Sequence, residues 1–223
     1  MRLHAALALL LLAACSKGAE APSPTSSAAV TPAVARTPDK PRTLVPADFA
    51  SLTLGAKVVG SDAKGRFVSD GQTLAEVSSH VACTDGVTNC DPSSLPGDTV
   101  YTYVHVVTPG RGVTSATLFR TARAVGGFAN RVGYDNTQAA TALGPNGQID
   151  VAADNGALVW RVIGGDGWKA GEPITFYWQS MLPPAGSTDA YLVETDGSVA
   201  IGSGPFPARV KGADALDSTG VRR

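Results

Sequence analysis

Short runs of residues with a period of two, separated by Gly-containing turns, fill the middle of this chain. The clearest run is TVYTYVHVV at residues 99–107, where both parities carry apolar or aromatic side chains. A period of two is that of a β-strand, and apolar residues on both faces are typical of a strand that is covered on both sides. We therefore predict a central strand at this position.

Eight further segments have the same character and lie between turn signals such as Asp-Gly and Asn-Gly. They are residues 52–59, 66–69, 116–122, 148–152, 157–163, 174–179, 190–194 and 198–201. Nine short strands favour an all-β fold, an antiparallel β-sandwich that is Ig-like by analogy only. One or two short helices are expected, because Leu74, Val77 and Val81 have helical spacing and Asn136 could cap a turn that runs to Leu143.

Composition divides the chain into four parts. Residues 1–14 form a signal peptide, residues 15–45 a tether rich in Pro, Ala, Ser and Thr, residues 46–211 the β-sandwich domain, and residues 212–223 a flexible tail. With 18 Lys and Arg against 19 Asp and Glu, the chain is close to neutral. It has no basic stripe, so we expect no nucleic-acid partner.

The amino terminus fixes the expected compartment. Arg2 and His4 precede an apolar run of about eight residues, which is too short to span a bilayer and is followed by small residues. The string Leu12-Ala13-Ala14-Cys15 resembles the lipobox of bacterial lipoproteins at all four positions. This resemblance covers residues 1 to 15, and implies cleavage after Ala14 and attachment of diacylglycerol and a further acyl chain, such as palmitate, to Cys15.

Lipid on Cys15 would attach the protein to a membrane, since two or more acyl chains make attachment stable. Ser16, which follows the cysteine, favours the outer membrane, because in Gram-negative lipoproteins an Asp at this position retains the protein at the inner membrane. The tether would then hold the domain away from the lipid surface in the periplasm or outside the cell. We expect a lipid-anchored protein of the cell envelope.

Cys83 and Cys90 are the cysteines that remain for the exported domain, and they flank an Asp-Gly turn. An even number of cysteines in an exported protein favours a disulfide, which closes a loop of about eight residues here. A zinc site is the rival interpretation, but His80 and His105 lack the Cys-x-x-Cys partner that such sites use. We predict a Cys83–Cys90 disulfide, no metal site and no cofactor.

The sequence contains no recognisable catalytic motif. The Gly-x-Ser-x-Gly pattern of serine hydrolases is missing, and the Asp pairs that could hydrolyse glycosides lie in turn sequences. A periplasmic hydrolase would have to use His80 or His105 as its base, and His105 has the character of a histidine within a strand. We therefore expect no catalytic residues and keep the hydrolase as an alternative.

Recognition is the remaining class of function. Trp168 lies in a Gly-rich loop with Asp166 and Lys169, where an aromatic side chain either folds onto the core or meets a partner. An exposed Trp168, or an exposed Tyr177, could stack on a sugar ring and make the domain a carbohydrate-binding module. The leading hypothesis is a non-enzymatic binding or adaptor module for an unknown protein or envelope glycan, with the Cys83–Cys90 and Trp168 loops as contact regions.

Overall fold

The computed structural model describes residues 43–208, which form twelve β-strands, one α-helix and one 3-10 turn. The predicted signal peptide, Cys15, nearly all of the tether and the tail lie outside the described residues. Val45, which the sequence assigned to the tether, is the first residue of the first strand. Leu44 also packs against the core, so the folded domain includes residues that the sequence assigned to the tether.

The helices and strands follow one another with short connections. The strands are β1 (Val45–Asp48), β2 (Leu54–Lys57), β3 (Ala63–Ser69), β4 (Gln72–Thr84), β5 (Tyr101–Pro109), β6 (Ala116–Thr121), β7 (Phe128–Tyr134), β8 (Gln148–Asp154), β9 (Ala157–Gly164), β10 (Ile174–Ser180), β11 (Pro184–Thr195) and β12 (Ser198–Pro207). The 3-10 turn spans Phe49–Ser51, and the helix α1 spans Asn136–Leu143.

The strands form two sheets that pack as a sandwich, which confirms the predicted all-β fold. The first sheet has the order β1-β7-β10-β5-β4-β2, with β3 also paired to β4, and the second has the order β12-β11-β6-β9-β8. All pairings between these strands are antiparallel except β1 with β7. β5 lies between β4 and β10, so it is a central strand as predicted.

Aromatic side chains from both sheets fill the core. The ring of Phe119, on β6 of the five-stranded sheet, lies 5.0 Å from Phe176 on β10 and 5.8 Å from His105 on β5, both in the other sheet. It also stacks on Trp160 and Tyr191 of its own sheet. Aromatic pairs at such distances add to the hydrophobic burial that holds two sheets together.

Three hairpins turn through the dipeptides that the sequence marked as turns. Asp70-Gly71, Asn155-Gly156 and Asp196-Gly197 all have positive φ at both residues, between 48° and 80°. Two successive positive φ angles define a type I′ turn, whose twist matches that of the paired strands. These turns join β3 to β4, β8 to β9 and β11 to β12.

The helix expected from the spacing of Leu74, Val77 and Val81 is wrong, because these residues belong to the 13-residue strand β4. The Asp70-Gly71 turn sends the chain back along β3, and β5 pairs with the other side of β4. Pairing on both sides outweighs a weak local spacing signal. The second predicted helix is confirmed as α1, although its cap is Asp135, whose carboxylate accepts from the Gln138 N–H at 2.9 Å.

The outer face of the seven-stranded sheet is covered over one half. Phe49, in the connection that leads from β1 to β2, lies with its ring 5.7 Å from Tyr177 on β10. The Tyr177 hydroxyl donates to the Ala47 carbonyl at 3.1 Å, and Gln138 of α1 accepts hydrogen bonds from Thr175. This layer lies over β10, whereas Lys64 and Arg66 of β3 and Glu76 and Ser78 of β4 are exposed.

Candidate functional site

The two histidines considered as bases lie on opposite faces of the seven-stranded sheet. His105 faces the core and lies opposite Ser79 of β4, with 2.8 Å between its Nδ1 and the Ser79 Oγ. Burial lowers the pKa of His105 to about 3. Because Ser79 is 3% exposed and His105 0%, a substrate cannot reach this pair.

His80 lies on the outer face of β4, opposite Val104 of β5. Burial and then the nearby charge of Lys57 lower the pKa of His80, while Asp62 opposes them. Lys57 and Asp62 form an ion pair with 2.9 Å between Nζ and Oδ1. His80 is therefore half-buried beside a surface ion pair, and the structure brings no serine or cysteine nucleophile to its ring through a hydrogen bond among the described residues.

The indole of Trp168 is 1% exposed and packs in the core, where its ring lies 5.6 Å from Phe176. Its Nε1 donates to the Glu172 carbonyl at 2.6 Å. Tyr177 is also buried, so neither residue presents the flat platform that carbohydrate stacking requires. Asp166 and Lys169, named with Trp168 as binding residues, are both exposed on the same loop.

The predicted disulfide is present and joins the end of β4 to the following loop. Cys83 and Cys90 are bonded, with Cα atoms 5.8 Å apart, and both are buried. The loop returns beside β2, where the Ala56 N–H donates to the Val87 carbonyl at 2.7 Å and Val58 bridges to Cys90. The bond thus closes a loop at the edge of the sheet, with Asp85, Gly86, Thr88 and Asn89 exposed.

The carboxylates that the sequence placed in turns have structural partners. Asp196 accepts hydrogen bonds from the Thr114 N–H and hydroxyl and from the Ser115 N–H, which lower the pKa of its carboxyl. Asp154 pairs with Arg120, and Glu172 accepts from the Lys169 N–H. Across residues 43–208, no group of three or more His, Cys, Asp or Glu could hold a metal ion.

A groove lies on the bare half of the outer face, over β3, β4 and β5. It consists of two adjoining concavities of about 440 and 510 Å³ that share Glu76 and Thr108. The first is lined by Lys64, Arg66, Ser78 and Val106 among others, and the second extends past Thr73 to Arg111, Ala170 and Gly171. We call this surface the β3–β5 groove.

The fold places the charged side chains of the β3–β5 groove in cross-strand rows. Lys64 lies opposite Ser78, which lies opposite Val106, and Arg66 lies opposite Glu76, which lies opposite Thr108. Residues two apart on a strand share a face and are about 7 Å apart. Lys64 and Arg66 therefore project side by side, with Glu76 next to Arg66.

The groove carries the opposite charge to the rest of the domain. Residues 43–208 contain nine Lys and Arg against fifteen Asp and Glu, whereas the groove has three cations, Lys64, Arg66 and Arg111, and one carboxylate, Glu76. All four side chains are exposed, and the ion pairs within the described residues lie elsewhere, at Lys57–Asp62 and Arg120–Asp154. These cations are available to an anionic ligand.

None of the four charged residues of the β3–β5 groove was singled out from the sequence. Three of them lie on the β3–β4 hairpin and the fourth, Arg111, in the loop after β5, and each alone is an ordinary surface charge. The alternation of Lys64, Gly65 and Arg66 was the one local signal, since it places two cations on one face of a strand. The loop that contains Trp168 reaches the groove, because Ala170 and Gly171, next to Lys169, line one end of it.

No helix within residues 43–208 combines the length and apolar character needed to cross a bilayer. Comparisons with protein-family models, with curated proteins and with solved structures find no match to this chain.

Proposed function

We propose that this protein is a lipid-anchored module of the cell envelope that binds a protein or another envelope component and catalyses no reaction. The observation that carries the proposal is the β3–β5 groove, a concave and charged surface whose cations have no ion-pair partner among the described residues. Concave surfaces with a few converging polar groups are the usual form of binding sites.

The positions of the residues that were considered for catalysis support a binding function rather than hydrolysis. The Ser79–His105 pair has the contact that a nucleophile and its base need, but it is sealed in the core. The lining of the groove contains hydroxyl groups and charges. His80, two residues beyond Ser78 on the same face of β4, is not among the lining residues, and no hydrogen bond joins its ring to a serine of the described residues. A surface of this kind can hold a ligand by charge and hydrogen bonds.

The anchor rests on the lipobox resemblance at Leu12-Ala13-Ala14-Cys15. Acylated Cys15 would hold the protein on a membrane, the outer membrane being favoured by Ser16, and the segment up to residue 42 would give the domain its reach. Binding near a membrane then takes place at a raised effective concentration of both partners.

Site-specific photo-crosslinking in the producing cell tests the binding surface. A benzoylphenylalanine at Thr108, in the β3–β5 groove, is expected to give a discrete adduct on irradiation. The same probe at Ile163, which is 58% exposed on the other sheet, is the matched control and should give none. Equal adducts from both positions, or none from Thr108, would contradict the proposal.

A Cys15→Ala variant tests the anchor. We expect the wild-type chain to fractionate with membranes and its amino-terminal peptide to carry fatty acid by mass spectrometry, whereas the variant should be released into the soluble fraction. Retention of the variant with membranes, or a native amino terminus at Met1, would show that the lipid assignment is wrong.

A further inference from the structure

We infer that the β3–β5 groove binds an extended acidic peptide of about six residues; this inference rests on the proposed binding function and specifies its ligand. Three observations support it: the local charge, the spacing of the cations and the position of Glu76. Each points to a ligand with several separate carboxylates.

The local charge selects an anionic ligand. The groove is cationic on a domain that is otherwise acidic, so an acidic ligand would be repelled by most of the surface and attracted here. The segments of this chain that flank the domain are not the acidic ligand. Residues 15–42 and residues 209–223 each contain four basic and two acidic side chains, so both have the same sign as the groove.

The spacing of the cations matches an extended polypeptide. Lys64 and Arg66 are about 7 Å apart on β3, which is the separation of alternate side chains on an extended chain. Arg111 lies at the other end, and the stretch of β4 from Ser78 to Thr73 along the groove spans about 17 Å. An extended peptide of five or six residues covers this length and can place carboxylates at both ends.

The position of Glu76 favours an acidic peptide over other polyanionic ligands. It lines both concavities and so lies between Lys64 and Arg111, where a ligand with evenly spaced phosphates or sulfates would place a charge against it. Like charges at close range cost binding energy. A peptide can place a neutral residue over Glu76, next to the hydroxyls of Ser78 and Thr108.

Fluorescence anisotropy with labelled hexapeptides tests the inference on the full chain. The probe is Glu-Ser-Ser-Ser-Glu-Ser, whose outward residues 1, 3 and 5 are acidic, neutral and acidic. In the two comparison peptides, Gln or Lys replaces both Glu residues. We expect the acidic peptide to bind about tenfold more tightly than the Gln peptide, with an affinity that falls as salt is raised. Equal binding of the acidic and neutral peptides would overturn the inference.

Variants place the binding in the groove. Arg66→Gln and Arg111→Gln should each lower the affinity for the acidic peptide by about three- to tenfold. Glu76→Gln should raise this affinity by about threefold. Arg161→Gln, an exposed cation on the five-stranded sheet, is the control and should leave the affinity unchanged. A loss at Arg161 equal to that at Arg66 would mean that attraction is unspecific and would overturn the inference.

The outcome is distinguishable from failure of the proposed function. If Thr108 forms a photo-adduct but the acidic peptide does not bind, the groove has a ligand of other chemistry, and the peptide inference alone is wrong. A sulfated glycan or an anionic vesicle that binds through Arg66 and Arg111 where the peptide does not would lead to the same conclusion.

Discussion

The imidazole of His105 is kept uncharged by the core that surrounds it. Its pKa in the folded protein is lowered to about 3, whereas an unfolded histidine titrates near 6.5. Between these values the unfolded chain binds one more proton than the folded chain, so the free energy of unfolding falls as the pH falls. The slope expected from this residue is about 1.4 kcal/mol per pH unit.

Replacing His105 by Gln should remove that slope. In urea unfolding, we expect the free energy of unfolding of the wild type to decline from pH 6.5 to pH 4.5. For His105→Gln, the slope of this decline should be smaller by about 1.4 kcal/mol per pH unit, which corresponds to one proton. His80→Gln is the comparison variant; because burial lowers the pKa of this partly exposed histidine as well, it should flatten the profile in the same direction but by less than His105→Gln. Parallel pH profiles for wild type and His105→Gln would contradict the assignment of a neutral buried imidazole.

Gly71 is required by its backbone angle. Its φ is +80°, and a Cβ there would meet nothing within 4 Å, so an alanine would be strained without being crowded. We expect Gly71→Ala to lower the free energy of unfolding by about 1 kcal/mol. Gly97→Ala, where a Cβ is equally free and φ is not in this region, should change it by less than about 0.5 kcal/mol, both measured by urea denaturation.

At the scale of elements, the Cys83–Cys90 bond holds the loop that flanks β2. Closing a loop of this size stabilises the fold by about 2.5 kcal/mol, chiefly by limiting the unfolded chain. The double variant Cys83→Ser with Cys90→Ser should lose about that amount in urea unfolding. Reductant should destabilise the wild type and leave the double variant unaffected. Identical urea curves for both proteins, with and without reductant, would contradict a stabilising disulfide.

Strands were predictable from sequence where alternation and turns agreed. β5, β6, β8, β9, β10 and the β11–β12 hairpin all follow the period-two pattern between Gly-containing turns. β7 was missed because Asn130 has a φ of +72° that interrupts its alternation, and β1 because four residues containing Pro46 carry little pattern. Which strands share a sheet was also beyond local pattern, since β9 and β10 are neighbours in sequence but lie in different sheets.

The candidate site was less predictable than the fold. The disulfide follows from two cysteines close in sequence, whereas the β3–β5 groove depends on the register of β3, β4 and β5 and on the loop that brings in Arg111. Trp168 drew attention as an aromatic residue in a loop, yet the loop folds over the core and buries it. The sequence analysis identified the Trp168 loop, which lies next to the groove, but none of the charged residues that line the groove.

At the scale of the whole molecule, Phe119 connects the two sheets. It is fully buried and contacts rings of β5 and β10 across the core. Phe119→Leu should lower the free energy of unfolding by about 1 to 2 kcal/mol, because the smaller side chain leaves part of these contacts empty. Ile163→Ala, on the exposed face of β9, should have an effect below about 0.5 kcal/mol.

Because the contacts of Phe119 are shared, both sheets should unfold together. Far-ultraviolet circular dichroism and Trp fluorescence of the Phe119→Leu variant are expected to follow one transition with the same midpoint. Two separated transitions would mean that the sheets are independent units and that Phe119 does not couple them.

The first strand has a mechanical consequence. β1 contains four residues, has β7 as its sole strand neighbour within residues 43–208, and is the first strand that a pull from the preceding chain reaches. Under tension between an anchored amino terminus and a bound partner, we expect β1 to peel away before the longer strands separate. Its departure would free the edge of β7 and remove the Ala47 acceptor from Tyr177, so stretching alone would alter the surface that the domain shows to its surroundings.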